Sequence, residues 1–232
     1  MDSGFRFAAI DVGSNAMRLL FTRVIEGKKN KPFFIKESLI RMPLRLGHDA
    51  FTKGTISKHN CESFLNTLLG FKNLIEAYSP ISYRACATAA MRNAKNGIDL
   101  VHRVKEISGI DLEIITGQEE AGIILSRNIS QYLKNKKNYI HIDVGGGSTE
   151  LTIIACGTKQ TSKSFSIGSV RLLEGKVQKS YWQVMHAWIN KNTKSLGPIK
   201  AIGSGGNINK IGSMLGMYNG DSVNYPDITH LI

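Results

Sequence analysis

The tetrapeptide Ile-Asp-Val-Gly occurs twice in the chain, at residues 10–13 and at residues 142–145. Each copy follows an apolar stretch, and each is followed by small polar residues and a second apolar run, in "AAIDVGSNAMRLL" and "IHIDVGGGSTELTII". Such a pattern is typical of a buried strand, a tight turn and a second strand. The repeat therefore predicts two similar domains that open with the same strand–turn–strand unit.

Strand and helix patterns alternate along the rest of the chain. Three strands are predicted before residue 45, and a helix is predicted around residues 57–78, where apolar residues have helical spacing. A helix is also predicted for residues 119–133, shortly before the strand scheme restarts. This alternation predicts an α/β protein. We place the domains at residues 1–134 and 135–232, divided at the charged segment "KNKKN".

The composition is that of a globular protein, with 42% hydrophobic and 21% charged residues. No apolar run approaches the roughly 20 residues that a membrane helix needs, and the N-terminal residues have no signal-peptide pattern. The three cysteines, Cys61, Cys86 and Cys156, are widely spaced and form no CxxC pair. We therefore expect reduced thiols in a cytoplasmic protein that does not contact membranes.

The net charge is less ordinary, because thirty Lys and Arg residues face eighteen Asp and Glu residues, which gives +12. Such an excess favours polyanionic partners such as polyphosphate or nucleotides, although solubility alone is an alternative explanation. Aromatic residues make up only 8% and form no RNA-recognition motif. We therefore expect no specific nucleic-acid partner.

The two glycine turns, residues 11–15 and 143–149, each combine main-chain N–H groups, hydroxyl side chains and a carboxylate. Glycine lets several N–H groups converge on an anion because no side chain intervenes. Two such turns facing each other would clamp a phosphate group, and their carboxylates would hold a divalent cation. The alternative is a pair of ordinary hairpin turns with glycines at positive φ. The repetition favours phosphate binding.

The turn motifs resemble the two phosphate motifs of the actin, Hsp70 and sugar-kinase superfamily. Within it, the chain resembles the exopolyphosphatase/guanosine pentaphosphate phosphatase (Ppx/GppA) family. Four further stretches carry this resemblance: "ATAAMRNAKNG" at 87–97, "IITGQEEA" at 114–121, "SIGSVRLLEG" at 166–175 and "IGSGGNINKI" at 202–211. The resemblance spans most of the chain and implies two actin-like (ribonuclease H-like) domains, with the active site in an interdomain cleft.

The resemblance implies that Glu120 is the general base that activates water for attack on a terminal phosphate. The alternative is an exposed glutamate favoured by the start of a helix. Its neighbour Glu119 lies three residues after Thr116, which is the spacing of a capping box and gives Glu119 a structural role.

The resemblance also implies a Mg²⁺ or Mn²⁺ ion at the second turn, held by Asp143 and Glu150, with Asp11 contributing from the other domain. The residues agree with this, because carboxylates at the mouth of a tight turn can lie close together and oxygen ligands suit a hard cation. The six histidines are scattered, so nothing suggests zinc.

Phosphate binding falls, by the same resemblance, on the two turns and two arginines: Gly13, Ser14, Asn15, Arg92, Gly145, Gly146, Gly147, Ser148 and Arg171. Arg92 follows Thr88, a possible helix cap, and the alternative is a solvated surface arginine. Arg171 either binds phosphate or braces the turn. Ala16 departs from the family, which usually has a hydroxyl residue there.

The expected function is Mg²⁺-dependent hydrolysis that releases terminal orthophosphate from inorganic polyphosphate. A guanosine pentaphosphate 5′-phosphohydrolase is the first alternative, and a non-catalytic polyphosphate- or nucleotide-binding regulator or an ATP-binding actin-like protein is the second. Whether the protein forms a homodimer stays open. Because about 125 residues lie between the first Ile-Asp-Val-Gly and the domain boundary, we expect the second domain to extend as far past its own copy, beyond about residue 260, so that domain II is incomplete here.

Overall fold

The computed structural model describes residues 4–27, 32–128, 137–217 and 220–231. The chain forms two compact units, Met1–Thr116 and Gly117–Ile232. The helix Gly117–Asn128 packs on two strands of the second sheet, which draws the boundary to residue 116 instead of residue 134. The predicted end of that helix, residues 129–133, lies outside the described residues.

The first unit contains a five-stranded sheet with the order β3-β2-β1-β4-β5. Strands β1, β2 and β3 are antiparallel neighbours, and β4 and β5 continue the sheet in parallel with β1. The strands are β1 (Phe5–Val12), β2 (Met17–Ile25), β3 (Phe33–Met42), β4 (Ser82–Ala87) and β5 (Leu112–Ile114). The helices are α1 (Leu46–Thr52), α2 (Lys58–Tyr78), α3 (Ala89–Asn93) and α4 (Gly97–Ser108).

The second unit repeats the scheme with four strands in the order β8-β7-β6-β9. It begins with α5 (Gly117–Asn128), which packs on β7 and β8. The strands are β6 (Asn138–Val144), β7 (Thr149–Ala155), β8 (Thr158–Phe165) and β9 (Ile199–Ser204). The remaining helices are α6 (Ser169–Leu173), α7 (Lys179–Thr193), α8 (Gly206–Met214) and α9 (Tyr225–Thr229).

The sequence repeat is also a repeat of strand register. In the first hairpin Asp11 pairs with Arg18, and at the equivalent positions of the second hairpin Asp143 pairs with Glu150. In both units the strand that carries the aspartate has a parallel strand on its other side, β4 or β9. The predicted α/β fold with two similar domains is confirmed, whereas the cleft between the domains stays a prediction.

The two faces of the second sheet differ in what they bury. Leu151 and Phe165 pack with Tyr181, Met185 and Trp188 of α7 on one face. Side chains alternate between faces along a strand, so Tyr139, His141 and Asp143 of β6 lie on the other. Tyr139, Ile154 and Ile202 form an apolar cluster there, which anchors the end of β6 remote from its turn.

Every helix in the described part of the chain is too short or too polar to cross a membrane.

Candidate active site

Each glycine turn is a four-residue loop closed by one main-chain hydrogen bond. The N–H of Gly13 donates to the carbonyl of Ala16 at 3.1 Å, and the N–H of Gly145 donates to the carbonyl of Ser148 at 2.9 Å. No glycine of either turn is among the residues with positive φ. A need for left-handed backbone therefore does not explain these glycines, and phosphate binding at the two turns stays a prediction.

The donors left at each turn follow its first glycine. Within the described segments, the N–H groups of Ser14 and Asn15, and those of Gly146 and Gly147, donate to no main-chain carbonyl. Such N–H groups are ordinarily paired with protein, water or a ligand. The N–H groups of Gly13 and Gly145 form hydrogen bonds inside the turns, so these two glycines have no free donor for a ligand. What they contribute is the absence of a side chain.

Helix α1 fixes the first turn from behind. The N–H of Gly47 donates to the carbonyl of Ser14 at 2.7 Å, and the N–H of Arg45 donates to the carbonyl of Asn15 at 3.1 Å. A Cβ atom at position 47 would lie 2.8 Å from the Cβ of Ser14, so only glycine allows this approach. The carbonyls of Ser14 and Asn15 are thus held by the protein, whereas the N–H groups of the same two residues take no part in this support.

Helix α6 fixes the second turn in the same way. The N–H groups of Ser169 and Val170 donate to the carbonyls of Gly145 and Gly146 at 3.0 and 2.9 Å. The Nε atom of Arg171 donates to the carbonyl of Gly147 at 2.7 Å. Of the two roles left open for Arg171, bracing the turn is therefore present, and contact with phosphate stays a prediction.

Asp143 and Glu150 are direct cross-strand partners at the mouth of the second turn. Their side chains therefore lie on the same face, with Cβ atoms about 5 Å apart. Glu150 is buried, and its Oε1 accepts a hydrogen bond from the hydroxyl of Ser164 at 2.8 Å. The predicted proximity of the two carboxylates is borne out by this register.

The first turn carries a different pair, because the partner of Asp11 is Arg18. The two side chains form an ion pair at 2.6 Å, and both are about half exposed. Asp11 thus faces a cation where Asp143 faces a second carboxylate. The paired carboxylates belong to the second unit alone, and a metal-binding role for Asp11 stays a prediction.

The start of α8 contacts the second turn, which α6 also supports. The side-chain amide of Asn207 donates to the carbonyl of Val144 at 2.6 Å. Gly205 has a φ of +91°, and a Cβ atom there would overlap Oδ1 of Asp143. The "GSGG" motif therefore brings the main chain directly against the Asp143 carboxylate.

Helix α5 begins at Gly117, directly after Thr116, as the capping-box spacing predicts. The reciprocal capping hydrogen bonds themselves stay a prediction. Glu119 is exposed and Glu120 is half-buried, and both lie in the first turn of the helix. Because α5 packs on β7 and β8, Glu120 belongs to the same unit as Asp143 and Glu150.

Arg92 lies in the short helix α3, and its Nη1 donates to the carbonyl of Ile115 at 2.6 Å. This carbonyl lies just before Thr116, so the guanidinium is tied to the segment that leads into α5. Thr88 precedes α3 as predicted, but its hydroxyl donates to the carbonyl of Val12 at 3.3 Å and does not cap the helix. Contact between Arg92 and phosphate stays a prediction.

A buried aspartate stabilises the support of the first turn. Asp49 of α1 accepts hydrogen bonds from Lys53, from Ser57 and from Asn60. Burial by itself raises the pKa of Asp49, but these bonds together outweigh burial and hold the pKa well below its usual range. The network links α1 to the start of α2 and so fixes the helix that carries Gly47.

The residues of the second turn fit a magnesium ion. Mg²⁺ is usually bound through one or two carboxylates, with water and substrate phosphates at its other positions. Asp143 and Glu150 provide such a pair of oxygen donors. No group of three or more His, Cys, Asp or Glu side chains that could enclose a metal occurs among the residues the structure describes. The donors therefore suit a cation shared with substrate better than one enclosed by protein.

Several contacts of the site lie beyond sequence reasoning. The sequence carries no signal that Ser164 would meet Glu150 or that Asn207 would bond Val144, because these contacts depend on strand register. The difference between the two turns, by contrast, can be found by aligning the two Ile-Asp-Val-Gly copies. Arg18 then occupies the position of Glu150, opposite the aspartate of its own copy. Comparison of the two copies would have revealed that difference.

Comparison with known proteins agrees with the fold and the motifs. The model of the Ppx/GppA phosphatase family matches residues 34–195. The solved structure of the Aquifex aeolicus PPX-GPPA enzyme is 26% identical, with a TM-score of 0.74 over 99% of this chain and 80% of that one. An exopolyphosphatase from Cytophaga hutchinsonii shares the fold, at 24% identity and a TM-score of 0.78, over 97% of this chain and 78% of that one.

The family match covers more than half of the chain, including both sides of the second turn and the segment that carries Glu120. The chain therefore belongs to the Ppx/GppA phosphatase family, and it is a hydrolase of phosphoanhydride bonds.

Proposed function

We propose that this protein is an exopolyphosphatase that releases terminal orthophosphate from inorganic polyphosphate in a Mg²⁺-dependent reaction. The observation that carries the proposal is the duplicated turn, whose carbonyls are held by protein while the N–H groups of Ser14, Asn15, Gly146 and Gly147 remain as donors. A net charge of +12 favours a long polyanion over a neutral substrate.

In this proposal the two turns bind phosphate oxygens through their N–H groups and hydroxyls. Glu120 accepts the proton of the attacking water, and its half-buried position in the first turn of α5 supports that role. In phosphoryl transfer the protein mainly positions the groups and neutralises charge, so a rigid turn matters as much as the base. Arg171 contributes by holding Gly147, whether or not it also contacts phosphate.

Asp143 and Glu150 hold the cation, with Asp11 as a further ligand. When bound, Mg²⁺ neutralises the negative charge on the phosphate oxygens. Glu150 is fixed by Ser164, and Asp143 is fixed by the close approach of Gly205. Both donors are therefore held in place before the cation binds.

The adjacent glutamates of α5 offer a matched test. Glu120→Gln keeps the shape of the side chain but removes the base, so phosphate release should fall by about 10² to 10⁴ while polyphosphate still binds. Glu119→Gln serves as the control, because Glu119 is exposed and has the proposed capping role. A larger loss in the Glu119 variant would contradict the assignment within the pair.

Guanosine pentaphosphate is the second candidate substrate, because the family model covers both the Ppx and the GppA branches. Colorimetric detection of orthophosphate released from the two substrates, measured side by side, distinguishes them. If orthophosphate is released faster from guanosine pentaphosphate at equal concentration of terminal phosphate, guanosine pentaphosphate and not polyphosphate is the preferred substrate. Binding of both without release would favour the non-catalytic regulator.

A further inference from the structure

A second row of polar side chains lies directly beneath the carboxylate pair on the same face of the second sheet. Asp143 and Glu150 form the row next to the turn, and His141 and Thr152 form the next cross-strand pair. Tyr139 and Ile154 follow as the third pair, which is apolar. The face therefore changes from charged to polar to apolar with distance from the turn.

The His141–Thr152 pair is buried, and each of its side chains has one polar atom without a hydrogen-bond partner among the described residues. His141 is 2% exposed and Thr152 is 1% exposed. Across the described ranges, neither Nε2 of His141 nor Oγ1 of Thr152 has a hydrogen-bond partner, and the same holds for the buried Oγ of Ser204. Ser204 lies beside Asp143 on the parallel strand β9. Leaving such groups without partners costs free energy, so native proteins usually satisfy them through protein or ordered water.

The described part of the first unit carries no such polar pair at the equivalent positions. At the positions equivalent to His141 and Thr152 it carries Ala9 and Leu20, which are also direct cross-strand partners. The polar layer is thus an addition to the unit that holds the paired carboxylates, and the shared fold does not require it. Burial lowers the pKa of His141, and the charge of Asp143 opposes this shift.

We propose that His141, Thr152 and Ser204 form an internal hydration site, in which ordered water bridges His141 Nε2 and Thr152 Oγ1 directly beneath Asp143 and Glu150. A buried water typically makes two to four hydrogen bonds, and Nε2 of His141, Oγ1 of Thr152 and Oγ of Ser204 are three buried polar atoms that could supply them. The layer makes His141 and Thr152 positioning residues for the two carboxylates. This second role rests on the proposed function, because it assumes that the carboxylates bind the cation.

Thr152→Val tests the hydration site through thermal stability, since valine keeps the shape and removes only the hydroxyl. If the hydroxyl binds internal water, Thr152→Val should lower the melting temperature of the whole protein by about 2–4 °C. Thr152→Ser keeps the hydroxyl and should therefore have a melting temperature close to that of the wild type. A melting temperature of Thr152→Val at or above that of the wild type would overturn the site, because removal of an unsatisfied hydroxyl stabilises. A crystal structure without water between the two side chains would overturn it equally.

Calorimetric titration with Mg²⁺ in the presence of inorganic phosphate, which supplies the phosphate oxygens that a shared cation needs, tests the positioning role. Loss of groups that support metal ligands typically weakens metal affinity by about 10- to 100-fold, and we expect a loss in this range for Thr152→Val and His141→Leu. Unchanged Mg²⁺ affinity in both variants would refute positioning. If the wild type binds no Mg²⁺, the proposed function loses its cation, whereas the melting comparison still decides the hydration site.

Discussion

Replacing Gly168 with alanine would push a methyl group into the back of the second phosphate turn. The new Cβ atom would lie 2.5 Å from the carbonyl carbon of Gly146 and 2.6 Å from that of Gly147. Both atoms belong to the main chain, so no side-chain rotation relieves the overlap. Gly168 has a φ of −147°, which alanine adopts without strain, so the effect of the substitution is purely steric.

The size of the effect follows from these distances. Cβ atoms essentially never approach other atoms within 3.0 Å, so the turn must retreat by about 0.5 Å or more. Overpacking of this kind costs about 1–3 kcal/mol of stability. A displacement of about 1 Å in the groups that position a substrate can lower the rate about 10²-fold. We therefore expect Gly168→Ala to lose roughly ten- to a hundredfold in kcat/KM.

The assay is orthophosphate release from polyphosphate at saturating Mg²⁺, together with thermal unfolding. Gly197→Ala is the matched control in the same unit, because a Cβ atom there meets nothing within 4 Å. Gly47→Ala should repeat the effect at the first turn, where the new atom would lie 2.8 Å from the Cβ of Ser14. Wild-type kcat/KM in a folded Gly168→Ala protein would refute the idea that α6 sets the position of the turn.

Three further results are expected. Gly205→Ala should raise the Mg²⁺ concentration needed for half-maximal activity, because its Cβ atom would displace Asp143; an unchanged requirement would argue against this aspartate as a ligand. Asp49→Asn should lower the free energy of unfolding by about 2 kcal/mol near pH 7, measured by denaturant titration, because it weakens the hydrogen bonds to a charged carboxylate while Lys53 stays exposed. Because the folded-state pKa of Asp49 is lowered, its contribution is complete above the unfolded value of about 3.9 and is lost at lower pH, so the two proteins should converge in acid. Excess EDTA should abolish phosphate release, and full turnover under that condition would exclude a divalent cation.

Local sequence was sufficient for the features that depend on residues close together in the chain. The two Ile-Asp-Val-Gly copies predicted two strand–turn–strand units, and the short turn predicted that Asp143 and Glu150 would lie side by side. The start of α5 after Thr116 was predicted in the same way. These features require only the alternation of side chains along strands and a turn of a few residues, which fix their own geometry.

The tertiary structure alone decided which distant segments support the turns. Gly168 and Gly47 approach main-chain atoms of the turns, Ser164 holds Glu150, and Thr88 bonds Val12 instead of capping its helix. A side-chain pattern with a period of two places residues on a face but does not specify which strand or helix will cover that face. Those contacts arise from strand order, register and close packing, which are properties of the folded chain as a whole.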